Sequence, residues 1–383
     1  MSMRKFSPAF FPVIFAAAFL AACSAEEPQE SADGIPLQQA LGAGGAEYRQ
    51  VISPRDFVFP HDHAAHDGFR TEWWHLIGTL QAEKTGENFG FQLSLFRIAP
   101  SPPQKETPPK NPRSNWRATH IWMAHAALTD ARGRRHYADE RFAREALGLA
   151  GATSQPLSVR VGDWEISARG ANFPGRARVV AEDFSFDLSF APQNKNRAPT
   201  LQGDAGLSKK GAAPGEASYY YSLMRLPTSG ELQVGGKTFR AAGLAWLDRE
   251  WSSKPLAAGL AGWDWFALHL NDGADLMFYQ LRDGGGNPDS HSAGVIADAN
   301  GAETRLTFRD VVLRPLRFSK TGERYPLTWE MQILPAGKNW TINAVVDDQK
   351  MDVSVRYWEG MVEVKNASGK VVGRGYMEMT GYE

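Results

Sequence analysis

The feature that most constrains the fold is a series of short segments in which apolar and polar residues alternate. Residues 184–190, Phe-Ser-Phe-Asp-Leu-Ser-Phe, show the pattern most clearly. Successive side chains of a β-strand point to opposite faces, so each such segment predicts a strand with one buried face. The same alternation, strict or loose, occurs at residues 89–97, 164–168, 327–333, 340–346 and 360–365. Turn sequences such as Asn300-Gly301 separate the segments, which predicts an all-β sandwich or barrel with at most a short helix at residues 139–149.

A weak internal repeat suggests that this β-structure comes in two related parts. Glu72 stands beside two tryptophans and is followed by a turn and a strand that ends at Arg97. Asp264 lies between two tryptophans, and there the following strand ends at Arg282. Two related barrels in tandem would produce this repeat, as would a chance likeness between two Trp-rich hairpins. We predict a first barrel over residues 51–250 and a second over residues 251–383.

The N-terminus has the pattern of an exported lipoprotein. Arg4 and Lys5 precede an apolar run over residues 10–20, which is shorter than the ~20 residues that a membrane-spanning helix needs. The run ends in Leu-Ala-Ala-Cys23, which resembles a lipobox, and Ser24 follows. We therefore predict a signal peptide over residues 1–22, lipid on Cys23 and a flexible tether over residues 23–50. The expected location is the periplasmic face of the outer membrane; an ordinary signal peptide is the alternative.

Composition excludes several classes of function. The chain has 42 Lys and Arg against 43 Asp and Glu, and it lacks the basic block that nucleic-acid binding requires. Cys23 is its single cysteine, so the folded part has neither a disulfide nor a thiolate metal site. There is no Gly-x-Ser-x-Gly elbow and no phosphate-binding loop. We predict no cofactor, a membrane contact through the lipid, and an apolar small molecule as ligand; an envelope transport partner is left unspecified.

The segment from Trp246 to Trp251 contains the best catalytic candidates. On a strand, Trp246, Asp248 and Glu250 share one face. A carboxyl group among indole rings is poorly solvated, which raises its pKa and lets it act as an acid near neutral pH. The competing interpretation is a structural ion pair between Asp248 and Arg249 or Arg225.

Several other residues are candidates for binding a ligand. The chain has 12 tryptophans, whose large apolar faces suit both cores and cavities. Trp73 and Trp74 are adjacent and face opposite sides of a strand, so at most one lines a cavity. We predict ligand contacts for Glu72, Trp73, Trp74, His125, Trp251, Trp263 and Trp265. A further cluster, His61, His63 and His66, is either a polar loop or a metal site.

These motifs together resemble the AttH/CrtC-like family, which contains bacterial carotenoid 1,2-hydratases and many "predicted secreted hydrolases". The resemblance runs through nearly the whole exported chain. It is carried by residues 59–66, 69–75, 123–129, 219–222, 243–251, 263–266, 357–360 and 375–382. The resemblance implies two tandem lipocalin-like, calycin-type antiparallel β-barrels. It also implies that Asp248 is the acid of a hydratase, with Trp246 and Tyr221 stabilising a carbocation.

Two functions follow from these expectations, and a third is weaker. The chain is either a hydro-lyase that adds water to an isoprenoid or other unsaturated lipid, or a lipocalin-type carrier of an apolar ligand. The cavity that either function needs is expected inside a Trp-lined barrel. The weaker hypothesis is a secreted hydrolase that uses a metal held by His61, His63 and His66.

Overall fold

The computed structural model describes residues 35–42, 45–102, 119–169, 174–192, 199–320 and 322–382. These residues are almost entirely β-structure in two large antiparallel sheets, which confirms the predicted all-β, lipocalin-like class. Strand β1 (Ile35–Pro36) and helix α1 (Leu37–Leu41) come first, and single 3-10 turns lie at His61–His63 and Ala146–Gly148. No described helix has the length and apolar character needed to cross a membrane.

The first sheet has 13 strands. They are β2 (Thr71–Ala82), β3 (Asn88–Ile98), β4 (Ile121–Asp130), β5 (Arg135–Arg144), β6 (Ala150–Ser154), β7 (Leu157–Val161), β8 (Trp164–Ala168), β9 (Gly175–Val180), β10 (Phe184–Phe190), β11 (Thr200–Leu201), β12 (Leu207–Lys209), β13 (Ala217–Val234) and β14 (Lys237–Ser252). The first strand β2 pairs with the last strand β14. Strand β7 contacts β3, β4 and β5, so the sheet curls back on itself and is nearly a barrel.

The second sheet repeats this plan with 11 strands. They are β1 and then β15 (Leu260–Leu270), β16 (Asp275–Asp283), β17 (Ala293–Ala297), β18 (Glu303–Thr307), β19 (Val311–Phe318), β20 (Pro326–Ile333), β21 (Lys338–Ala344), β22 (Lys350–Met351), β23 (Val355–Lys365) and β24 (Val371–Met379). Again the first long strand, β15, pairs with the last, β24. Except for β1, which runs parallel to β23, the pairing is antiparallel.

Burial along the strands shows what each one faces. In β10 the apolar residues Phe184, Phe186, Leu188 and Phe190 are buried and the residues between them are not, as alternation predicts. Strand β2 is buried at almost every position, because one face covers the core of the first sheet and the other packs against the second sheet. Ile77 and Trp246, for example, belong to a separate apolar cluster with residues of the second sheet.

Two sequence predictions are wrong in detail. Residues 139–149 form the end of β5 and a 3-10 turn rather than a helix. The predicted tether over residues 23–50 is too long, because Ile35 and Pro36 pair with β23 and α1 buries Leu37 and Leu41. Cys23 and the signal peptide lie outside the described residues. In both cases local composition favoured one conformation, whereas packing against a sheet selected another.

Candidate functional site

A cavity lies between the two sheets, with an empty volume of about 680 Å³ that includes the space at its mouth. Its wall is formed by Leu37, Leu41, Trp73, His75, Phe96, Lys210, Tyr220, Asp248, Glu250, Pro255, Trp263, Trp265, Tyr279, Leu281 and Glu378. This position corrects the expectation of a cavity inside a barrel. The interiors of both sheets are filled by buried apolar side chains, which leaves the space between them for a ligand.

Aromatic rings dominate the cavity wall and come from both sheets. Trp73 reaches it from β2, and Trp263 and Trp265 reach it from β15. The Trp265 indole donates a hydrogen bond to the Tyr220 hydroxyl at 3.2 Å. The ring of His75 lies edge-on to that of Trp265, with centroids 5.4 Å apart. Walls of this kind bind apolar or ring-shaped molecules and hold them with few polar contacts.

Asp248 is a buried acid of the wall, as its position in the sequence predicts. Its Oδ2 accepts a hydrogen bond from the Tyr220 hydroxyl at 2.5 Å. Its Oδ1 accepts hydrogen bonds from Ser222 at 2.5 Å and from the Trp246 indole at 2.7 Å. Burial raises the pKa of Asp248 to about 6, although these donors act in the opposite direction. Its carboxyl group can therefore both give and take a proton near neutral pH.

The geometry of β14 explains how Asp248 reaches the cavity. Trp246, Asp248 and Glu250 point to the side of the second sheet, whereas Leu247 lies in the core of the first sheet. The competing ion pair with an arginine does not form: Arg249 pairs with Glu72, and Arg225 pairs with Asp275. The Asp248 hydrogen bonds found in the described residues all come from uncharged donors.

Glu250 and Lys210 form an ion pair in the same wall. The Lys210 ammonium lies 3.3 Å from Oε1 of Glu250 and 3.8 Å from the centre of the Tyr279 ring. Burial opposes the charge on Lys210, but Glu250 and Tyr279 outweigh it and raise its pKa. The pair adds no net charge to the cavity.

A second polar group consists of His75 and Glu378, which line the cavity, and the fully buried Glu359. Nε2 of His75 lies 3.1 Å from Oε1 of Glu359. Burial opposes a charge on His75, but Glu359 outweighs it and raises the pKa of the imidazole to about 9. Burial and then the nearby charge of Glu359 raise the pKa of Glu378 to about 8. This cluster lies beside Asp248, because His75 and Asp248 are partners on adjacent strands.

The structure divides the predicted site residues into two groups. Those that line the cavity are Asp248, Glu250, Trp73, Trp263 and Trp265. Trp246 lies behind Asp248 as a hydrogen-bond donor. The Tyr221 side chain instead points to the face of β13 that is turned away from the cavity. Its hydroxyl lies 2.6 Å from Nδ1 of His63. The expected role of Tyr221 in stabilising a carbocation is therefore not supported by its position.

The remaining predicted ligand contacts do not line this cavity. Glu72 forms ion pairs with Arg97 and with Arg249, the latter at 2.9 Å. Burial opposes the charge of Glu72, but these arginines and His66 hold its pKa well below the usual range. The ring of His66 stacks on Trp251, with centroids 3.8 Å apart.

Trp74 and His125 are also buried away from the cavity. Trp74 stacks against Trp122 in the core of the first sheet. His125 lies 2.9 Å from the Tyr357 hydroxyl through its Nδ1. Burial lowers the pKa of His125 to about 3, so the ring is neutral at physiological pH.

The segment from His61 to His66 forms a bonded loop rather than a converging set of metal ligands. Asp62, within it, accepts hydrogen bonds from the side chain of Arg55 and from the backbone N–H of Val58. Among the described residues, one group has the spacing of a metal site, and it is His75, Glu359 and Glu378 instead. The weaker hypothesis of a hydrolase with a metal at His61, His63 and His66 has no support in this geometry.

Sequence reasoning missed Tyr220, Lys210 and Glu378. Alternation shows that Tyr220 and Tyr221 face opposite sides, but it does not show which side faces the cavity. That choice depends on the register between β13 and β14, which places Tyr220 opposite Glu250. Glu378 comes from the last strand, and its Oε1 accepts a hydrogen bond from the Trp263 indole. The register between two neighbouring strands has no local sequence signature.

Comparison with known proteins shows similarity over most of the chain, both in sequence and in fold. The sequence model of the AttH-like family matches residues 50–382. An AttH-type protein of Nitrosomonas europaea is 32% identical, with a TM-score of 0.76 over 88% of this chain and 100% of that one. Kievitone hydratase of Nectria haematococca is 15% identical, with a TM-score of 0.61 over 88% of this chain and 98% of that one. No curated protein sequence matches the chain.

Proposed function

Because the chain belongs to the AttH-like family, we propose that it binds an apolar, unsaturated molecule between its sheets and adds water to a carbon–carbon double bond. The observation that carries this proposal is the carboxyl group of Asp248 in the wall of an aromatic cavity. Kievitone hydratase has the same fold, and its name describes the addition of water. The fold is therefore compatible with this class of reaction.

Asp248 is the proton source in the proposed reaction, and Tyr220 delivers the proton. When Asp248 is protonated, its O–H donates to the Tyr220 oxygen, and the Tyr220 O–H is then free to point into the cavity. The π electrons of the double bond take the Tyr220 proton and form a C–H bond. The Asp248 proton moves to the tyrosine oxygen at the same time. This leaves a carboxylate on Asp248 and a positive charge on the second carbon of the former double bond.

The aromatic wall is suited to the cation that this step creates. The faces of Trp73, Trp265 and Tyr220 carry partial negative charge that attracts a cation in a poorly solvated site. A water molecule then forms the C–O bond with its lone pair, and its excess proton returns to the Asp248 carboxylate. Asp248 and Tyr220 are back in their starting states, and the net change is the addition of one water molecule.

The composition of the wall favours an isoprenoid or similar lipid as the ligand. Its rings and leucines offer contact area, whereas the cationic groups of the described wall, Lys210 and His75, are already paired with Glu250 and Glu359. A substituted double bond also suits the reaction, because alkyl groups stabilise the intermediate cation.

A location in the cell envelope complements this choice of ligand. The pattern around Cys23 supports lipid attachment at the outer membrane, where apolar molecules are concentrated. A Cys23→Ser variant is expected to move from the membrane fraction to the soluble periplasmic fraction and to lose incorporation of labelled palmitate. If the variant stays in the membrane fraction and retains the label, this part of the proposal is wrong.

The reaction is tested by incubating the protein with acyclic isoprenoids in ¹⁸O-labelled water and measuring labelled alcohols by mass spectrometry. Asp248→Asn is expected to lower turnover by about 10²–10⁴-fold, the usual contribution of a general acid. Ligand binding, followed by quenching of tryptophan fluorescence, should change little. Asp187→Asn is the matched control, since it removes an exposed carboxylate that pairs with Arg176.

A non-enzymatic carrier is the second candidate, and the apolar wall of the cavity favours it equally. Binding without turnover by the wild-type protein would support the carrier. Equal turnover by wild type and Asp248→Asn would remove Asp248 from the mechanism. Absence of both binding and turnover across isoprenoids and fatty acids would contradict both functions.

A further inference from the structure

Two glutamates of the second sheet face each other directly across neighbouring strands. Glu359 on β23 and Glu378 on β24 are cross-strand partners. Glu359 is fully buried, and Glu378 reaches the cavity wall. Like charges in this position repel, and burial strengthens the repulsion because little water screens it. A proton on one of the two carboxyl groups, or a nearby cation, relieves this repulsion.

His75 contributes a third potential ligand from the opposite sheet. Its Nε2 lies 3.1 Å from Oε1 of Glu359. One ligand atom from each of His75, Glu359 and Glu378 lies within 4.8 Å of the other two. Ligand atoms around one tetrahedral zinc ion are about 3.2–3.6 Å apart, so the side chains must move together by at most about 1.5 Å to bind it.

Within the part of the chain that the structure describes, the carboxylate of Glu359 is unusual because it lacks hydrogen bonds. Both of its oxygens are buried, and neither accepts a hydrogen bond from a described residue. Nε2 of His75 is close enough for an ion pair but is not aligned for a hydrogen bond. Buried carboxylates without donors cost free energy, and native proteins normally satisfy them. Coordination to a cation would satisfy both groups at once.

The surroundings of the three residues are those of a prepared metal site. Nδ1 of His75 lies 2.7 Å from the Ser94 hydroxyl, to which Gln92 also donates a hydrogen bond at 3.2 Å. A ligand histidine is typically held in this way by its other nitrogen, which leaves Nε2 for the metal. The Trp263 indole holds Oε1 of Glu378 in a similar manner.

We propose that His75, Glu359 and Glu378 bind one divalent first-row metal ion, with zinc as the first choice, in the wall of the cavity between the sheets. One imidazole and two carboxylates suit zinc and its neighbours in the series. The side that faces the cavity leaves a position open for water or a ligand atom. Asp248 is not among the ligands, so this site and the proposed hydration can fail separately.

A proton shared by the two glutamates would relieve the same repulsion, so metal content must be measured directly. The full chain is purified with a tag that contains no histidine and analysed by inductively coupled plasma mass spectrometry. After treatment with a chelator it is titrated with Zn²⁺, and with Co²⁺ as a coloured probe. We expect one ion per chain and a visible Co²⁺ absorption band from a site of low symmetry.

Substitutions locate the ion. Glu359→Gln is expected to weaken Zn²⁺ binding by at least about 10–100-fold, the range found when even supporting residues of metal sites are changed. Glu363→Gln, the same change further along β23 where the side chain faces Arg374, should bind Zn²⁺ like the wild type. Ser94→Ala should weaken binding about 10-fold by releasing the His75 ring.

The proposal is overturned by wild-type protein that neither retains nor takes up Zn²⁺ or Co²⁺, whatever the variants do. It is also overturned if Glu359→Gln binds Zn²⁺ with wild-type affinity, since the ion would then lie elsewhere. If circular dichroism shows that Glu359→Gln does not fold, Ser94→Ala decides in its place. Unchanged affinity in a folded Ser94→Ala variant would contradict the assigned geometry.

Discussion

Glu72 and Glu359 are both fully buried, yet their surroundings are opposite. Glu72 is surrounded by two arginines and His66. Glu359 has His75 as an ion-pair partner and another carboxyl group directly across from it. Buried charge is tolerated where neighbouring charges and hydrogen bonds compensate for lost hydration. The comparison suggests that Glu72 is a structural residue, whereas the under-compensated Glu359 belongs to a site with another task.

The largest expected loss of stability comes from neutralising Glu72, the glutamate whose charge is well compensated. Glu72→Gln leaves Arg97 and Arg249 buried without a carboxylate, and neither arginine can lose its charge. Denaturant unfolding should show a loss of about 3–5 kcal/mol in the free energy of unfolding, the cost of breaking a buried pair. A loss below about 1 kcal/mol would mean that the arginines are satisfied by backbone oxygens alone, and the comparison would lose its basis.

The second sheet provides an intermediate case that sharpens the comparison. Asp264 pairs with Arg282 at 2.8 Å and accepts a hydrogen bond from Tyr382 at 2.9 Å. Burial raises the pKa of Asp264 even though Arg282 opposes it. Asp264→Asn therefore leaves one buried arginine without its carboxylate, whereas Glu72→Gln leaves two. We expect Asp264→Asn to lower the free energy of unfolding by about 1–3 kcal/mol. If both variants lost the same free energy of unfolding in this experiment, the number of arginines paired with the carboxylate would be unimportant.

His125 extends the comparison to a buried group without a close charge partner. Glu140 lies 4.0 Å from its ring and is partly exposed. Since burial lowers the pKa of folded His125 to about 3, only the unfolded chain takes up this proton below its ordinary value of about 6.5. Stability should therefore fall as the pH drops from about 6.5 towards 3, by about 2 kcal/mol at pH 5 from this residue.

The contribution of His125 is isolated by substitution. His125→Gln keeps a polar side chain that can bond to Tyr357 but cannot titrate. The stability advantage of the wild type over this variant should shrink by about 2 kcal/mol between pH 7 and pH 5. An advantage that stays constant over this range would show that His125 is not held neutral.

The smallest effect is expected for Glu359 itself in metal-free protein. Glu359→Gln removes the ion pair with His75, but the imidazole can lose its proton once that partner is gone, and the repulsion with Glu378 is relieved at the same time. We expect the free energy of unfolding to change by less than about 1 kcal/mol in either direction, measured by denaturant unfolding in the presence of a chelator. A loss as large as that for Glu72→Gln would mean that Glu359 is an ordinary structural ion-pair partner.

The fold was predictable where one side of a strand faces solvent. Alternation at residues 184–190 identified β10 because its buried and half-exposed positions differ in sequence. The helix predicted for residues 139–149 is wrong because β5 is half-buried along most of its length and rich in residues that also form helices. A strand at the edge of a sheet has a weaker periodic pattern than one whose inner face packs on a core.

The sequence predicts which site residues share one face of a strand. It does not predict which residues of other strands they contact. Asp248 and Trp73 were identified because their neighbours in sequence fix which residues share a face. Tyr221 was chosen in place of Tyr220, since only the register with β14 separates them. Glu359 and Glu378 were missed because their proximity to His75 depends on how the two sheets pack, which no short segment encodes.

The cavity wall is drawn from both sheets, while each sheet keeps its own apolar core. This separation has an evolutionary consequence. Wall residues such as Tyr220 and Trp265 pack in the apolar cluster between the sheets, whereas the core inside each sheet is made of other residues. Related proteins with this architecture can therefore differ in the molecule they bind while each sheet keeps its own core. Gene copies with this architecture are free to diversify in what they recognise long before their overall shape changes.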